Sequence, residues 1–334
     1  MMLIQSVFVT TLLAVADATC MGHLHRRAAK SNTVEVSNFG YSGSVGPLLW
    51  QTLAEENSAC EKGENQSPIN IDSAIKRATS PPKIHIAKID HAEFENLGTT
   101  VEVIANGTTD FGNKTFSLKQ FHFHSPSEHR INEEYFPLEM HMVHQSNDGS
   151  FVVLGLLFDV SELSTPLVSE LAKEVRKISE PGSITETGPL DMAAIIKHLE
   201  TTALRQYSGS LTTPPCKEGI TFLIAEQPLP IDPLSFNSMK KVLKFNSRFT
   251  QGSLGEPNLI EKALKGSEGI IVNAPASNSS SVATSKSSTA SNAVKETAKP
   301  SSNTILSDGG SVVSTIYAST KMTSAAKKAD PTAV

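Results

Sequence analysis

Gln120-Phe-His-Phe-His124 and Glu139-Met-His141 are the two stretches of this sequence that decide its fold. Each alternates polar and apolar residues, the pattern of a β-strand that is buried on one face. Successive side chains of a strand leave opposite faces, so the glutamine and both histidines of the first stretch share one face and its phenylalanines share the other. The glutamate and histidine of the second stretch also share a face. Paired antiparallel, these strands would place an apolar core on one side and clustered histidines on the other.

Histidine is concentrated in this region, since five of the ten in the chain lie between residues 122 and 144. His122, His124 and His141 would converge from the two strands, and three imidazoles are a favoured ligand set for tetrahedral Zn²⁺ with one open position. A metal-bound histidine needs an acceptor for its second ring nitrogen, and Gln120 and Glu139 are placed to provide one. The pattern therefore predicts a zinc site with these three ligands and two supporting residues.

Other polar residues of the region allow a second interpretation. His122, His124 and Glu128 also match the ligands of cupin barrels, in which the glutamate binds iron or manganese. Cupins would require a Pro-x-Gly turn, whereas the chain here reads Pro137-Leu-Glu139, and that glutamate would have no role. A cupin-type oxygenase is therefore the less favoured alternative. The two remaining histidines have the wrong parity or lie in a loop, and we expect hydrogen-bonded structural roles for them: His129 and His144.

Similar patterns along the chain predict a mainly β (α+β) fold. Helical spacing of apolar residues predicts helices over Glu162–Ile178 and Asp191–Leu204. Alternation bounded by turn residues predicts the strands, so we expect a large, mostly antiparallel central sheet with short surface helices rather than a parallel βαβ array. The predicted strands are Val101–Ile104, Thr115–His124, Leu138–Gln145, Phe151–Phe158 and Ile220–Glu226.

Composition limits the functions that this chain can have. It has 334 residues, a net charge of −5 and a pI near 6.1, so it lacks the basic field that holds nucleic acid. Ser, Thr and Ala crowd the carboxyl-terminal part, which leaves roughly 230 residues for one large folded domain. We expect a catalytic domain over residues 38–275 and a disordered Ser/Thr-rich tail over 276–334, suited to cell-surface or cell-wall association. A lipid-anchor signal and a transmembrane segment are not predicted.

The amino-terminal sequence predicts secretion. An apolar run over Leu3–Val15, followed by small residues, is typical of a signal peptide over residues 1–18. Arg26-Arg27 fits either a cleavage site that ends a pro-segment within residues 19–37 or a solvated charge pair. Cleavage there would remove Cys20 and leave two cysteines, which are expected to bond in an oxidising compartment: Cys60 and Cys216. Asn-x-Ser/Thr acceptors for glycosylation lie at Asn106, Asn113 and Asn278.

Taken together, the motifs resemble those of the α-class carbonic anhydrases. The resemblance runs from about Phe39 to Glu256, in the order of the family, and each motif gains its specificity from the set. The matching stretches are Gly46-Pro-Leu-Leu-Trp50, Asn65-Gln-Ser-Pro-Ile69, Gln120-Phe-His-Phe-His124, Ser127-Glu-His129, Glu139-Met-His-Met-Val-His144, Tyr207 and Ser210-Leu-Thr-Thr-Pro-Pro215.

This resemblance implies a secreted, disulfide-containing enzyme that hydrates CO₂ to bicarbonate at a zinc ion. It implies that Thr212 accepts a hydrogen bond from the attacking hydroxide and donates one to Glu128, while Thr213 contacts bicarbonate. It also implies a Cys60–Cys216 disulfide that tethers the loop of these threonines. The apolar wall for CO₂, which has no dipole to recognise, would consist of Val143, Val153, Leu211 and Phe222.

Three positions depart from the pattern of the family. Thr99 stands where the fastest members have a proton-shuttling histidine, so we expect a slower enzyme that depends on external buffer. Phe222 replaces a tryptophan of the wall. The late Asn-Trp-Arg-Pro strand has no plain match, and Gly269–Pro275 is the candidate for a reduced version, with Asn273 orienting the second zinc ligand. A cell-surface binding module with weak catalysis remains the alternative to an enzyme.

Overall fold

A computed structural model describes residues 33–271 of the chain. No helix within this range is long and apolar enough to cross a membrane. The predicted signal peptide, the Arg26-Arg27 pair, the Ser/Thr-rich tail, Asn273 and Asn278 all lie outside the described residues.

Most of the fold is a mixed β-sheet. In the described range the chain forms twelve strands: β1 (Asn70–Ile71), β2 (Lys83–His85), β3 (Glu93–Asn96), β4 (Val101–Phe111), β5 (Lys114–His124), β6 (Arg130–Ile131), β7 (Leu138–Ser146), β8 (Phe151–Val160), β9 (Ile184–Glu186), β10 (Leu204–Ser210), β11 (Glu218–Ala225) and β12 (Leu229–Ile231).

Ten of these strands form one sheet in the order β10-β11-β8-β7-β5-β4-β3-β9, with β2 added to β4 and β12 added to β8. Neighbouring strands are antiparallel except at β8, which pairs in parallel with β11 and β12. A separate pair, β1 and β6, is parallel. The predicted fold class, a large and mostly antiparallel sheet with short helices, is confirmed.

The helices are short and lie outside the sheet. They are α1 (Ala59–Lys62), α2 (Pro166–Glu174), α3 (Ala193–Thr201), α4 (Pro233–Leu243) and α5 (Leu259–Ile271), with 3₁₀ turns at Gly43–Val45, Trp50–Thr52, Glu55–Ser58 and Val175–Ile178.

Both predicted helices form, but each is shorter than its apolar spacing indicated. The first begins at Pro166 rather than Glu162, because proline is favoured in the first turn, where its missing N–H costs no hydrogen bond. Its last turn is a 3₁₀ turn that ends at Ile178. The second covers Ala193–Thr201, because Leu204 already belongs to β10.

The two faces of the central strands bury different side chains. One face of β5 and β7 carries Phe121, Phe123, Met140 and Met142 into the main core, which also holds apolar residues of α2, α3 and α4. The opposite face carries the histidines and a second apolar cluster. Its members are Ile69, Ile71, Val143, Phe151, Val153, Tyr207, Leu211, Ile220, Phe222 and Ile224. The alternation predicted for the two strands thus separates the main core from a polar site.

A disulfide joins Cys60 of α1 to Cys216 in the loop after β10, as predicted. Both cysteines are fully buried, and the bond closes a loop over a sequence separation of 156. The adjoining loop is held to the same region, because the Gln66 side chain donates to the Cys216 carbonyl at 3.0 Å and the Cys216 N–H donates to the Thr213 carbonyl at 2.8 Å. The disulfide therefore anchors the segment that contains both predicted active-site threonines.

We expect the double variant Cys60→Ser/Cys216→Ser to be less stable than the oxidised protein by about 2–5 kcal/mol, because the unfolded chain regains the freedom of a long loop. Denaturant unfolding followed by circular dichroism measures this difference. Wild-type protein treated with a thiol reductant is the matched control and should show the same loss. Equal midpoints for the double variant and the oxidised wild type would contradict the expectation.

Candidate metal centre

Three buried histidines converge on the polar face of the sheet. His122 and His141 are register partners on β5 and β7, and His124 follows on the same face of β5. Their ring centroids lie 4.8–5.4 Å apart, and one nitrogen from each ring falls within 4.8 Å of the others. This geometry brings together the three predicted zinc ligands.

An acceptor fixes one nitrogen of each ring. The Nδ1–H of His122 donates to Gln120 Oε1 at 2.9 Å, and the Nε2–H of His141 donates to Glu139 Oε1 at 2.7 Å. His124 donates from Nδ1 to a backbone carbonyl at 2.9 Å. These bonds set the tautomers and leave the opposite nitrogens for a metal.

The three histidines also suit a metal because a buried ring nitrogen among them has no hydrogen-bond partner in the described chain. His124 Nε2 is buried and has no hydrogen-bond partner among residues 33–271. Burial lowers the pKa of His124 to about 4 and holds that of His122 well below its usual value. Neutral imidazoles with a lone pair directed at one point are the donor set that Zn²⁺ prefers.

The carbonyl that orients His124 belongs to Asn246, so the assignment of this role to Asn273 was wrong. The Asn246 side chain forms three hydrogen bonds of its own. Its Nδ2 donates to the carbonyls of Thr99 and Phe123 at 2.9 and 2.8 Å, and its Oδ1 accepts from the Ser125 N–H at 2.7 Å. The sequence signal was the Asn-x-Arg spacing of residues 246–248, which has serine where the family has tryptophan.

Glu139 connects several parts of the site. Its Oε1 accepts from His141 and from His129 Nδ1, and its Oε2 accepts from the N–H groups of Glu128 and His129 at 2.7 and 2.8 Å. Burial opposes the charged form, but interactions with both histidines outweigh it and hold the pKa of Glu139 well below its usual range. The carboxylate can therefore remain charged while fully buried.

His129 and His144 each use both ring nitrogens in hydrogen bonds. His129 bonds Glu139 and, at 2.6 Å, the Tyr207 hydroxyl, which in turn bonds Ser67 Oγ at 2.8 Å. His144 bonds the Met142 carbonyl and Thr109 Oγ1, each at 3.0 Å. His129, Glu139 and His141 also form a compact group of potential ligands, but these bonds already occupy the facing atoms.

Glu128 lies beside the three histidines without a ring nitrogen in hydrogen-bond contact. Its Oε1 accepts from the Arg248 N–H at 2.9 Å, and the Thr212 side chain forms a further hydrogen bond to the carboxyl. Its Oε2 is buried without a hydrogen bond in the described chain and lies 3.4 Å from His124 Nε2. Burial raises the pKa of Glu128 to about 7, against the opposing effects of His141, the Arg248 N–H and Thr212.

An apolar wall adjoins the histidines. Val143, Val153, Leu211 and Phe222 are all buried and belong to one cluster on the metal face. The Phe222 ring lies 5.9 Å from the His141 ring and stacks on the ring of Tyr207 at 5.1 Å. The predicted wall is thus contiguous with the site. Thr213 is buried beside Thr212 in the loop that the disulfide anchors.

The comparisons with known proteins agree with this geometry. A model of the eukaryotic-type carbonic anhydrase family matches residues 45–258. The carbonic anhydrase of Pectobacterium atrosepticum is 36% identical over 210 residues, which cover 62% of this chain and 83% of that protein. The solved structure of an α-carbonic anhydrase from Aspergillus oryzae is 41% identical and covers 69% of this chain and 99% of that one, with a TM-score of 0.66.

The chain belongs to the α-class carbonic anhydrases. It is accordingly an enzyme of the class that hydrates CO₂. Relatives of another name match as well: dioscorin DB3L from Dioscorea polystachya is 31% identical and covers 60% of this chain and 76% of that protein.

Thr99, which the family resemblance predicts to replace a proton-shuttling histidine, lies in the β3–β4 turn. It is 7% exposed, and its hydroxyl forms a 2.8 Å hydrogen bond with Ser37 Oγ. Two carboxyls that the sequence analysis missed lie on the strands that flank this turn: Glu95 and Glu102 are register partners, and both are buried. Burial and the neighbouring Glu95 raise the pKa of Glu102 well above its usual value.

We expect Asn246→Ala to lower zinc affinity on the order of tenfold. The substitution removes the three side-chain hydrogen bonds that hold residue 246 in place, and its backbone carbonyl orients His124. Competition with a chromophoric chelator measures the affinity. Asn237→Ala, at an exposed position of α4, is the matched control and should leave zinc affinity unchanged. An Asn246→Ala protein that binds zinc as tightly as wild type would show that this side chain does not support the ligand.

Proposed function

We propose that the chain is a zinc-dependent carbonic anhydrase that converts CO₂ and water to bicarbonate and a proton. His122, His124 and His141 would hold the metal, and Gln120, Glu139 and the Asn246 carbonyl would fix their rings. The observation that carries the proposal is the convergence of three buried imidazoles, each with one ring nitrogen already bonded to an acceptor. Zinc supplies Lewis-acid chemistry at such sites and lowers the pKa of a bound water to about 7 in carbonic anhydrases generally.

Thr212 and Glu128 would orient the attacking oxygen. The N–H of Arg248 holds Oε1 of Glu128, and the Thr212 side chain bonds the same carboxyl. A threonine that donates its proton to this carboxyl has only acceptor lone pairs left for a third partner. It would therefore accept a hydrogen bond from a hydroxide, align its remaining lone pair with CO₂ and discriminate against anions that carry no proton.

The apolar wall would receive the substrate, and Thr213 would contact the bicarbonate product. CO₂ has no net dipole, so contact with Val143, Val153, Leu211 and Phe222 suits it better than polar groups would. Phenylalanine in place of the usual tryptophan leaves a somewhat wider pocket at position 222.

Secretion and processing belong to the same proposal. Asn106 on β4 and Asn113 in the turn to β5 are both exposed, so an oligosaccharide attached to either side chain would extend into solvent. The Cys60–Cys216 bond is compatible with an extracellular location. We infer a signal peptide over residues 1–18, a pro-segment or linker over 19–37, glycosylation also at Asn278, and association with a cell surface or wall through residues 276–334.

Metal analysis and stopped-flow CO₂ hydration test the catalytic proposal together. We expect about one zinc per chain in the wild type, and loss of both zinc and hydration in His122→Ala, because two imidazoles remain. His85→Ala, an exposed histidine of β2, is the matched control and should retain both properties. A wild-type protein that binds zinc without hydrating CO₂ would contradict catalysis and favour the alternative, a binding module. A solved dioscorin, 27% identical to this chain, was crystallised in complex with ascorbate, so a protein of this fold can bind another ligand.

Proton release should depend on buffer, because a threonine hydroxyl cannot exchange protons at neutral pH as an imidazole with a pKa near 6.5 can. We expect the steady-state hydration rate of the wild type to rise with imidazole concentration at constant ionic strength. Thr99→His should reduce that dependence, and Thr99→Ser should not. A wild-type rate that is independent of buffer concentration would show that the chain has another proton-transfer group.

A further inference from the structure

A buried arginine lies next to the proposed active site. Arg248 is 1% exposed, and arginine is rarely buried to this extent unless its donors are paired. It lies between the end of α4 at Leu243 and the start of α5 at Leu259, in a stretch that belongs to no helix or strand. Because neither a helix nor a strand ladder holds this stretch, its position depends on the individual contacts that it makes.

The backbone of this stretch supplies two groups to the site. The Asn246 carbonyl accepts from His124 at 2.9 Å, and the Arg248 N–H donates to Glu128 Oε1 at 2.9 Å. Every residue has a carbonyl and nearly every residue has an N–H, so what matters for these two bonds is where the backbone lies. A displacement of the stretch would therefore move the partner of Glu128 as well as the partner of one proposed metal ligand.

The guanidinium of Arg248 ties the stretch to the amino-terminal part of the domain. Its Nη1 donates to Gln66 Oε1 at 2.9 Å and to the Ser67 carbonyl at 2.8 Å, and its Nη2 donates to the Cys60 carbonyl at 3.3 Å. The central carbon of the group lies 5.6 Å from the ring centroid of Trp50. A planar guanidinium directs its donors in fixed directions, an arrangement that the ammonium of a lysine does not reproduce.

Gln66 extends this connection to the loop that contains Thr212. Its Nε2 donates to the Cys216 carbonyl at 3.0 Å, and the Cys216 N–H donates to the Thr213 carbonyl at 2.8 Å. The arginine and this glutamine are thus connected to both partners of the hydrogen bond between Thr212 and Glu128. One connection runs through the backbone N–H that holds the carboxyl, and the other runs through the loop that carries the hydroxyl.

We propose that Arg248, together with Gln66, is a positioning residue for CO₂ hydration, which sets the geometry of the hydrogen bond between Thr212 and Glu128 without contacting the substrate. This inference rests on the proposed function, because it takes the roles of the threonine and the glutamate from there. It also gives a reason for a buried arginine whose guanidinium bonds neutral oxygens rather than a carboxylate.

The position of this hydrogen bond determines which anions inhibit the enzyme. While Thr212 donates its proton to Glu128, it has only acceptor lone pairs left, so an anion that carries no proton gains no hydrogen bond from it. A displaced carboxyl or hydroxyl would free that proton to bind such an anion. Loss of the Arg248 contacts should therefore slow hydration and strengthen inhibition by perchlorate, which carries no proton, more than inhibition by hydrosulfide, which carries one.

The test measures hydration and anion inhibition per bound zinc. Arg248→Lys keeps the positive charge and removes the planar guanidinium, so kcat/KM should fall on the order of ten- to a hundredfold, and perchlorate should inhibit at a several-fold lower concentration. Gln66→Met should move both quantities in the same direction. The double variant should resemble Arg248→Lys alone, because the two residues act through one connection. Arg176→Lys, at an exposed position of the 3₁₀ turn Val175–Ile178, is the matched control and should change neither quantity.

The outcomes separate a positioning role from a structural one. A structural arginine would lower the amount of folded, zinc-bound protein but leave the rate and the anion selectivity per bound zinc unchanged. That result, or an equal gain for perchlorate and hydrosulfide, would show that the inference is wrong while the proposed function stands. If Arg248→Lys does not fold, Gln66→Met decides, because the carbonyls of Ser67 and Cys60 still hold the guanidinium in that variant. A wild type that binds zinc without hydrating CO₂ would overturn the proposed function and this inference together.

Discussion

The structure depends on the two-residue alternation of β5 and β7. Phenylalanine and methionine fill the main core from one face of these strands, while histidine, glutamine and glutamate leave the other. A shift of one residue in the pairing would exchange these faces, burying imidazoles in the core and exposing the aromatic rings. The same apolar contacts that stabilise the sheet thus fix the register, and the register brings His122 opposite His141. Geometry suited to a metal is here a consequence of core packing.

Burial of the polar face is possible because Glu139 satisfies so many donors at once. Its two oxygens accept four hydrogen bonds, from two imidazoles and two backbone N–H groups. Gly155, the register partner of His141, lets the neighbouring strand pack closely here, because a Cβ atom at this position would lie 2.5 Å from the Ile224 side chain. A chain of hydrogen bonds then continues through His129 and Tyr207 to Ser67. The orientation of one ligand is therefore coupled to the packing of distant loops.

The sequence was informative wherever a role depends on side-chain type and spacing within one strand. Parity alone grouped His122 with His124, and Glu139 with His141, and the strands form where alternation predicted them. Asn246 was missed because a backbone carbonyl, which every residue carries, does the orienting. Glu102 was missed because its position relative to His122 depends on pairing between strands, which one sequence does not specify. The disulfide pairing came from the count of cysteines and the family resemblance, and the structure confirms it.

Charge balance connects these observations. The buried carboxyl and guanidinium groups of the described range are those of Glu95, Glu102, Glu128 and Glu139 on one side and of Arg248 on the other. Arg248 donates to Gln66 Oε1 and to the carbonyl of Ser67 rather than to a carboxylate, and burial lowers its pKa to about 10. Burial raises the pKa of Glu128 to about 7 and, together with the neighbouring Glu95, raises that of Glu102 well above its usual value, so both acids hold a proton more readily than they would in water. Glu139 behaves differently, because interactions with His129 and His141 hold its pKa well below the usual range, and the same carboxylate fixes the ring of His141.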